Sequence, residues 1–221
     1  MTPRAVIFDL DGTLVDSLAD LGESVNVVLA ERGLEPHPLD TYRALIGDGI
    51  VSLVRRALAP GIESATIVEE CVKRVREVYG GRWDRKTRPY PGVVATVAAL
   101  HELGVALAVL SNKPHALTRV IVERFFDRGC SFRAILGAEA GFPRKPSPQG
   151  ALELARLCGI APERFLYVGD TATDMRTAVA AAMWPIGALW GFRDAAELCA
   201  AGAATLVAHP SEIIELVGSF H

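Results

Sequence analysis

Short apolar runs alternate with segments of helical period along most of the chain. The first run is Ala5 to Phe8, and later runs lie at about 105–110, 133–136, 165–168, 186–189 and 205–207. Short runs without polar alternation are typical of strands that are buried on both faces of a parallel sheet. Helices are predicted between them, at about 92–103, 114–126, 147–158, 172–182, 194–201 and 210–217. This alternation predicts an α/β fold with a doubly wound parallel sheet, a Rossmann-like core.

The stretch at 16–85 breaks the alternation. Its apolar residues, beginning with Leu18 and Leu21, recur at helical spacing, and no strand pattern occurs among them. This pattern predicts an all-helical insert after the first strand. The remaining residues, 1–15 and 86–221, are predicted to form the α/β core. We expect the insert to be a cap over the carboxyl ends of the strands.

Two carboxylates follow the first apolar run. Asp9 and Asp11 lie between Phe8 and Gly12, and alternate residues of a strand share one face. We therefore expect both side chains to converge at the carboxyl end of the strand, where open α/β sheets bind ligands. Neighbouring carboxylates repel each other unless a cation or a proton intervenes, which favours a bound divalent metal. An isolated Asp-x-Asp is more often a solvated turn, but its place behind a buried strand makes it more specific.

Other polar residues stand at strand ends or in loops that precede helices: Ser111, Asn112, Lys145, Asp170 and Asp174. Each type of position also has an ordinary structural explanation. Ser111 could cap the next helix, Lys145 could be a surface lysine, and Asp174 could stabilise a helix N-terminus. Lys113 is a weaker candidate than Lys145 for a cation at the site. The residues taken singly leave these alternatives open.

The order and spacing of these residues resemble the four motifs of the haloacid dehalogenase-like hydrolase superfamily. The matching segments are Asp9-Leu-Asp11-Gly12-Thr13, Ser111-Asn112, Lys145-Pro-x-Pro148 and Gly169-Asp170-x-x-x-Asp174. They occur in the family's order and extend over most of the chain. The resemblance implies an α/β hydrolase core with a cap, and a reaction that passes through an aspartyl-phosphate.

The resemblance also implies a role for each motif residue. Asp9 would attack phosphorus, and Asp11 would protonate the leaving oxygen and then activate water. Three further residues would stabilise charge on the phosphoryl oxygens: Ser111, Asn112 and Lys145. The implied metal ligands are Asp9, Asp11, Asp170 and Asp174, the last directly or through water. Because every ligand is an oxygen, the implied ion is Mg²⁺.

Within the superfamily the chain is similar to the phosphoglycolate phosphatases. The similarity lies in the motifs above and in residues 16–21, 45–49, 53–58 and 191–192. It implies hydrolysis of a small phosphomonoester, 2-phosphoglycolate. Five residues are predicted to bind the substrate: Thr13, Asn112, Gly47, Gly49 and Arg55. The guanidinium of Arg55 or Arg56 suits the substrate carboxylate, but adjacent helical residues cannot both face the site, and both could instead be surface arginines. One departure is the turn at Ala181-Ala-Met-Trp184, which lacks the family's usual Gly.

Composition and charge limit the partners. A net charge of -3 over 221 residues gives no basic surface for nucleic acid or anionic membranes. No apolar run reaches the roughly 18 residues of a membrane span. The four cysteines are far apart, which predicts reduced thiols and a cytoplasmic protein. The expected partner is a small phosphorylated metabolite, and the chain is expected to be a monomer or a homodimer.

Two alternatives remain open on the sequence alone. A broad-specificity small-phosphate or pyrophosphate phosphatase of the same superfamily would carry the same motifs with a different cap. A receiver-type phospho-acceptor domain also brings Asp residues, a hydroxyl and a Lys together on a parallel sheet. The helical insert disfavours the receiver, and steady-state phosphate release would separate the two classes.

Overall fold

The computed structural model describes residues 4–58, 64–126 and 132–218, and the chain divides into two compact units. One unit comprises Met1–Val15 and Pro89–His221, and the other comprises Asp16–Arg88. We refer to them as the core unit and the helical unit. Within the described residues, no helix has both the length and the apolar character needed to cross a membrane.

The elements follow one another along the chain as short strands and helices. In chain order they are β1 (Ala5–Phe8), β2 (Val15–Asp16), α1 (Leu18–Glu31), α2 (Thr41–Leu45), α3 (Ile50–Ala57), α4 (Ala65–Gly80), β3 (Arg88–Pro89), α5 (Val93–Glu102), β4 (Ala106–Pro114), α6 (His115–Phe126), β5 (Ala134–Ala138), α7 (Gln149–Cys158), a 3₁₀ turn (Pro162–Arg164), β6 (Phe165–Gly169), α8 (Ala172–Ala180), β7 (Trp184–Ala188), α9 (Ala195–Ala200), β8 (Thr205–Val207) and α10 (Glu212–Gly218).

The core unit contains a six-stranded sheet with the order β5-β4-β1-β6-β7-β8, in which every recorded pair is parallel. Ala5 of β1 lies opposite Ala106 of β4 on one side and Phe165 of β6 on the other. The predicted doubly wound parallel sheet is therefore confirmed. The chain runs from β1 through β4 to the β5 edge and then returns to β6, on the far side of β1. Ligands of such sheets bind at the carboxyl ends of the strands where the order reverses.

The central strands are buried because helices cover the sheet. All four residues of β1 are at most 2% exposed. Helix α7 shows the matching helical pattern, since Ala151, Leu154 and Cys158 are buried at a spacing of three and four residues while Leu157 is exposed. Burying a leucine such as Leu154 contributes about 1.5–3 kcal/mol. This packing fixes the ends of β1, β4 and β6, which carry the polar residues of interest.

The helical unit contains the four helices α1 to α4 among its described residues. Its helices bury one face each, with Val25 of α1 and Val75 of α4 nearly inaccessible. Tyr42 of α2 is fully buried and donates its hydroxyl to Asn26 Oδ1 at 2.7 Å. The predicted break at Pro60-Gly61 lies outside the described residues.

Two local features differ from the sequence-based expectation. Strand β4 continues to Pro114, with an irregular register between Leu110 and Pro114, whereas the apolar run predicted an end at residue 110. Strand β7 begins at Trp184, two residues earlier than predicted. In the turn before β7, Ala182 has a φ of 56°, a left-handed conformation in which Ala carries a steric cost that Gly avoids.

Candidate active site

The chain turns sharply after β1, and this turn places the first motif. Asp9 is 4% exposed, and its backbone N–H still donates to Val168 O of β6 at 2.9 Å. The next residues leave the strand, because the N–H groups of Leu14 and Val15 both donate to Leu10 O. The turn therefore begins at Leu10, two residues after β1 ends at Phe8.

Three carboxylates converge in the core unit, two that directly follow β1 and β6 and one in the first turn of α8. Asp9, Asp170 and Asp174 each offer an oxygen, and these oxygens lie within 4.8 Å of one another. All three residues are buried. Burial, together with the charge of Asp174, raises the pKa of Asp9 well above its ordinary value and that of Asp170 to about 7. Buried oxygens that repel one another fit a hard divalent cation.

Close packing fixes the Asp170 carboxylate. It accepts hydrogen bonds from the Thr13 hydroxyl at 2.9 Å and from the Phe192 N–H at 2.8 Å. Two glycines leave room for it, since a Cβ on Gly191 would lie 2.5 Å from Asp170 Oδ2, and one on Gly12 would also collide with this carboxylate. Gly12 also has a φ of 89°, which favours glycine. Thr13, predicted to bind the substrate, thus orients a metal-ligand candidate.

Asp174 both caps a helix and belongs to the carboxylate group. Its Oδ2 accepts from the N–H of Thr171 at 3.1 Å and from the Thr171 hydroxyl at 2.6 Å, which completes a capping box at the start of α8. Its Oδ1 accepts from Lys145 Nζ at 2.6 Å. Asp174 therefore caps α8 through Oδ2 and pairs with Lys145 through Oδ1, while metal binding by this side chain stays a prediction.

Lys145 lies between two of the carboxylates. Its ammonium is 2.7 Å from Asp9 Oδ1 and 2.6 Å from Asp174 Oδ1, and its side chain is 2% exposed. Burial alone would lower its pKa, but the charges of Asp174 and Asp9 outweigh burial and raise that pKa well above its ordinary value. Lys145 is therefore a buried cation, and the surface-lysine alternative is excluded.

Asn112 holds the loop that carries Lys145. Its Oδ1 accepts from the backbone N–H of Lys145 at 2.9 Å, and its Nδ2 donates to Lys145 O at 3.2 Å. Ser111, beside it in β4, is 4% exposed, and its hydroxyl accepts from the Lys113 N–H at 3.2 Å. Asn112, predicted to bind the substrate, thus fixes the position of the lysine.

Asp11 does not belong to the carboxylate group that the described residues form. Lys113 Nζ contacts both of its carboxylate oxygens instead, at 2.6 Å and 2.8 Å. The expectation that Asp9 and Asp11 share a face assumed that the strand continues, whereas β1 ends at Phe8 and the chain turns at Gly12. The geometry thus supports three of the four predicted ligands and sets Asp11 apart with its own cation.

A family model of the haloacid dehalogenase-like hydrolases matches residues 3–182. The chain belongs to this family. It is 35% identical over 193 residues to a phosphoglycolate phosphatase of Pseudomonas putida, covering 86% of this chain and 71% of that protein. It is 37% identical, with the same coverage, to phosphoglycolate phosphatase 1 of Pseudomonas aeruginosa.

A solved structure aligns with nearly the whole chain. The crystal structure of a predicted phosphoglycolate phosphatase from Haemophilus somnus aligns with a TM-score of 0.89 at 27% identity, over 98% of each chain. The predicted membership of the haloacid dehalogenase-like hydrolases is confirmed. The curated relatives are phosphatases, which agrees with the predicted class of phosphoric monoester hydrolase and disfavours the receiver-type alternative.

The predicted residues of the insert lie in the helical unit of this hydrolase. Gly49 has a φ of 87° and precedes α3, and Gly47 has a φ of 133°. Asp48 between them pairs with Arg56 at 2.5 Å, while Arg55 is exposed. Substrate binding by Gly47, Gly49 and Arg55 stays a prediction.

The sequence did not single out several residues that build the site. Lys113 was a weaker candidate than Lys145 for the cation at the site. Gly191 and Phe192 lie in a segment similar to the family, but the similarity implied no role for them. Tyr167 of β6 is fully buried and reaches Asp174 Oδ1 at 3.5 Å. Burial raises its pKa well above the ordinary value. Lys113 directly follows Ser111-Asn112 at the end of an apolar run, and this position was its sequence signal.

Proposed function

We propose that the chain is a Mg²⁺-dependent phosphatase that hydrolyses 2-phosphoglycolate through a phosphorylated Asp9. The observation that carries the proposal is the position of Lys145, whose ammonium contacts Asp9 and Asp174 beside the carboxylate of Asp170. This arrangement gives a carboxylate nucleophile a fixed orientation, a fixed cation and a set of oxygen ligands. Family membership supports the reaction class.

Asp9, Asp170 and Asp174 are the proposed ligands of the metal. A divalent ion bound there would offset the repulsion between the nucleophile and the phosphate and would align the phosphoryl group. The glycines and the hydroxyl that pack on Asp170 hold its oxygens in place for this role. Asp11 is left out of the ligand set because its side chain pairs with Lys113.

The chemistry rests on Asp9 and Asp11. A carboxylate oxygen of Asp9 attacks phosphorus, and the bond from phosphorus to the leaving oxygen breaks as Asp11 gives that oxygen a proton. Asp11 then takes a proton from water, which attacks the phosphorus of the phosphorylated Asp9. Phosphate leaves and the Asp9 carboxylate is restored.

Lys145 and Ser111 are the proposed groups that stabilise charge on the transferring phosphoryl group. Lys145 is already charged and buried, so it needs no rearrangement as the negative charge spreads. Ser111 is held at the end of β4 by its contact with the Lys113 N–H. Asn112 contributes indirectly, since it fixes the Lys145 backbone.

The substrate assignment rests on relatives rather than on a contact in the structure. Curated proteins at 35% and 37% identity are named phosphoglycolate phosphatases. A broad-specificity or pyrophosphate phosphatase remains the alternative. We also propose that the helical unit is the cap over the site. The cytoplasmic location and the monomeric or dimeric state stay predictions.

One assay tests the proposed function. Phosphate release is measured with Mg²⁺ across a panel of small phosphomonoesters that includes 2-phosphoglycolate and pyrophosphate. We expect 2-phosphoglycolate to have the highest kcat/KM and activity to disappear in excess chelator. A higher kcat/KM for pyrophosphate would contradict the assignment of 2-phosphoglycolate as the substrate. Full activity in excess chelator would contradict the proposed dependence on a metal.

A further inference from the structure

Lys113 is the second buried cation of the core unit. Within the described residues, Lys113 and Lys145 are the buried cationic side chains, at 6% exposure each. Lys145 contacts two carboxylates of the proposed metal group. Lys113 contacts both oxygens of Asp11, whose side chain is 14% exposed against 4% for Lys113. The two lysines thus serve different carboxylates.

The fold holds the Lys113 backbone in a fixed position. The irregular end of β4 carries it, its N–H donates to Ser111 Oγ, and its carbonyl accepts from the Thr118 hydroxyl at 3.2 Å. Gly137 of β5 allows this approach, since a Cβ there would lie 2.7 Å from Lys113 O. These contacts fix the backbone from which the Lys113 side chain reaches Asp11.

The position of Asp11 indicates which part of the substrate lies near Lys113. In an in-line displacement the leaving oxygen lies opposite the attacking oxygen, and the acid must touch that leaving oxygen. A cation bound to the acid is therefore beside the leaving group. In 2-phosphoglycolate a single methylene separates the leaving oxygen from a carboxylate.

We propose that Lys113 recognises the carboxylate of the leaving group, an inference that rests on the proposed function. An ammonium has three N–H donors, so Lys113 can keep one on Asp11 while it turns another to the substrate carboxylate. Recognition of an anionic leaving group is then coupled to the group that protonates it. This assigns the carboxylate to a core lysine, where the sequence pointed to Arg55 of the helical unit.

Two substrates that differ only at this carboxylate test the proposal. The first is 2-phosphoglycolate, and the second is 2-hydroxyethyl phosphate, in which a neutral hydroxymethyl group replaces the carboxylate. Values of kcat and KM are measured for the parent, Lys113→Met, Lys113→Arg, Arg55→Met and the control Lys73→Met. Lys73 lies on the exposed face of α4, so its variant controls for the loss of one lysine charge. Circular dichroism and the melting temperature establish that each variant is folded.

We expect Lys113→Met to lower kcat/KM for 2-phosphoglycolate at least about tenfold more than for 2-hydroxyethyl phosphate, mainly through KM, and Lys113→Arg to recover most of this difference. Parallel losses on both substrates would overturn the proposal, because a lysine that only orients Asp11 does not distinguish them. If Lys113→Met does not fold, the test uses the Lys113→Arg and Arg55→Met variants. A loss of the preference for 2-phosphoglycolate over 2-hydroxyethyl phosphate in Arg55→Met alone would also overturn the proposed role of Lys113. A parent that hydrolyses neither ester would instead contradict the proposed function.

Discussion

Replacing Asp170 by Asn should make the metal-free protein more stable while it removes phosphatase activity. Asp170 is 0% exposed, and its pKa is raised from 3.8 to about 7 by burial and by the charge of Asp174. Ionising this carboxyl therefore costs roughly 4 kcal/mol more in the folded chain than in the unfolded chain. Between pH 3.8 and about 7 the folded protein keeps the Asp170 proton that the unfolded chain has lost. The free energy of unfolding therefore falls as the pH rises through this interval.

The expected gain is smaller than this cost, because an amide cannot accept both existing hydrogen bonds. Thr13 and Phe192 each donate to one oxygen of Asp170, and the Asn side chain retains one acceptor. Leaving one buried donor unsatisfied costs about 1–3 kcal/mol. The variant should thus be more stable than the parent by about 1–3 kcal/mol near pH 8, where Asp170 is ionised.

Urea unfolding in excess chelator measures this difference at about pH 5 and about pH 8. The advantage of Asp170→Asn should be present at the higher pH and should shrink or reverse at the lower pH. Asp40→Asn is the matched control, because the Asp40 side chain is 94% exposed and its variant should stay within about 0.5 kcal/mol of the parent. Added Mg²⁺ should stabilise the parent more than the variant. A variant less stable than the parent at about pH 8 in chelator would refute the electrostatic argument.

Three further substitutions test separate parts of the site. Lys145→Met should cost about 3–5 kcal/mol in urea unfolding with chelator, because it leaves the buried carboxylate of Asp9 without its cation; an unchanged midpoint would contradict the ion pair. Gly12→Ala should raise the Mg²⁺ concentration needed for half-maximal activity, because its Cβ would displace the carboxylate of Asp170, a proposed metal ligand. Gly159 has a similar positive φ, but its Cβ would have no atom within 4 Å, so Gly159→Ala should lower stability without changing the Mg²⁺ requirement. An equal rise in the Mg²⁺ requirement in both variants would refute the steric argument. Asp11→Asn should lower kcat about 10²–10⁴-fold on alkyl phosphates but much less on a nitrophenyl ester, and equal losses would argue against an acid role.

The sheet could be predicted from the sequence because its signal is local. Each buried strand is a short apolar run, and each covering helix has a repeating apolar face, as in α7. Parallel order and the position of strand ends then follow from general rules of α/β folds. The convergence of Asp9 and Asp170 is a consequence of those ends meeting at one edge, and the first turn of α8 adds Asp174.

The contacts inside the site depend on geometry that the sequence does not display. The pairing of Asp11 with Lys113 arises from a turn that already begins at Leu10, before Asp11, and from an irregular register in β4. The second role of Asp174 as a helix cap needs the hydroxyl of Thr171 at a particular distance. Such details are decided by a few ångströms of backbone and not by residue type.

The central claim is that Asp9 carries the phosphoryl group during turnover. The most direct measurement is to mix the enzyme with Mg²⁺ and radiolabelled 2-phosphoglycolate, quench with acid during steady-state turnover, and map the label to a peptide. We expect the label on the peptide that contains Asp9 and none in Asp9→Asn, which should fold normally and lose turnover because an amide forms no phosphoenzyme. Continued turnover by Asp9→Asn within about tenfold of the parent, or label on another residue, would contradict the mechanism.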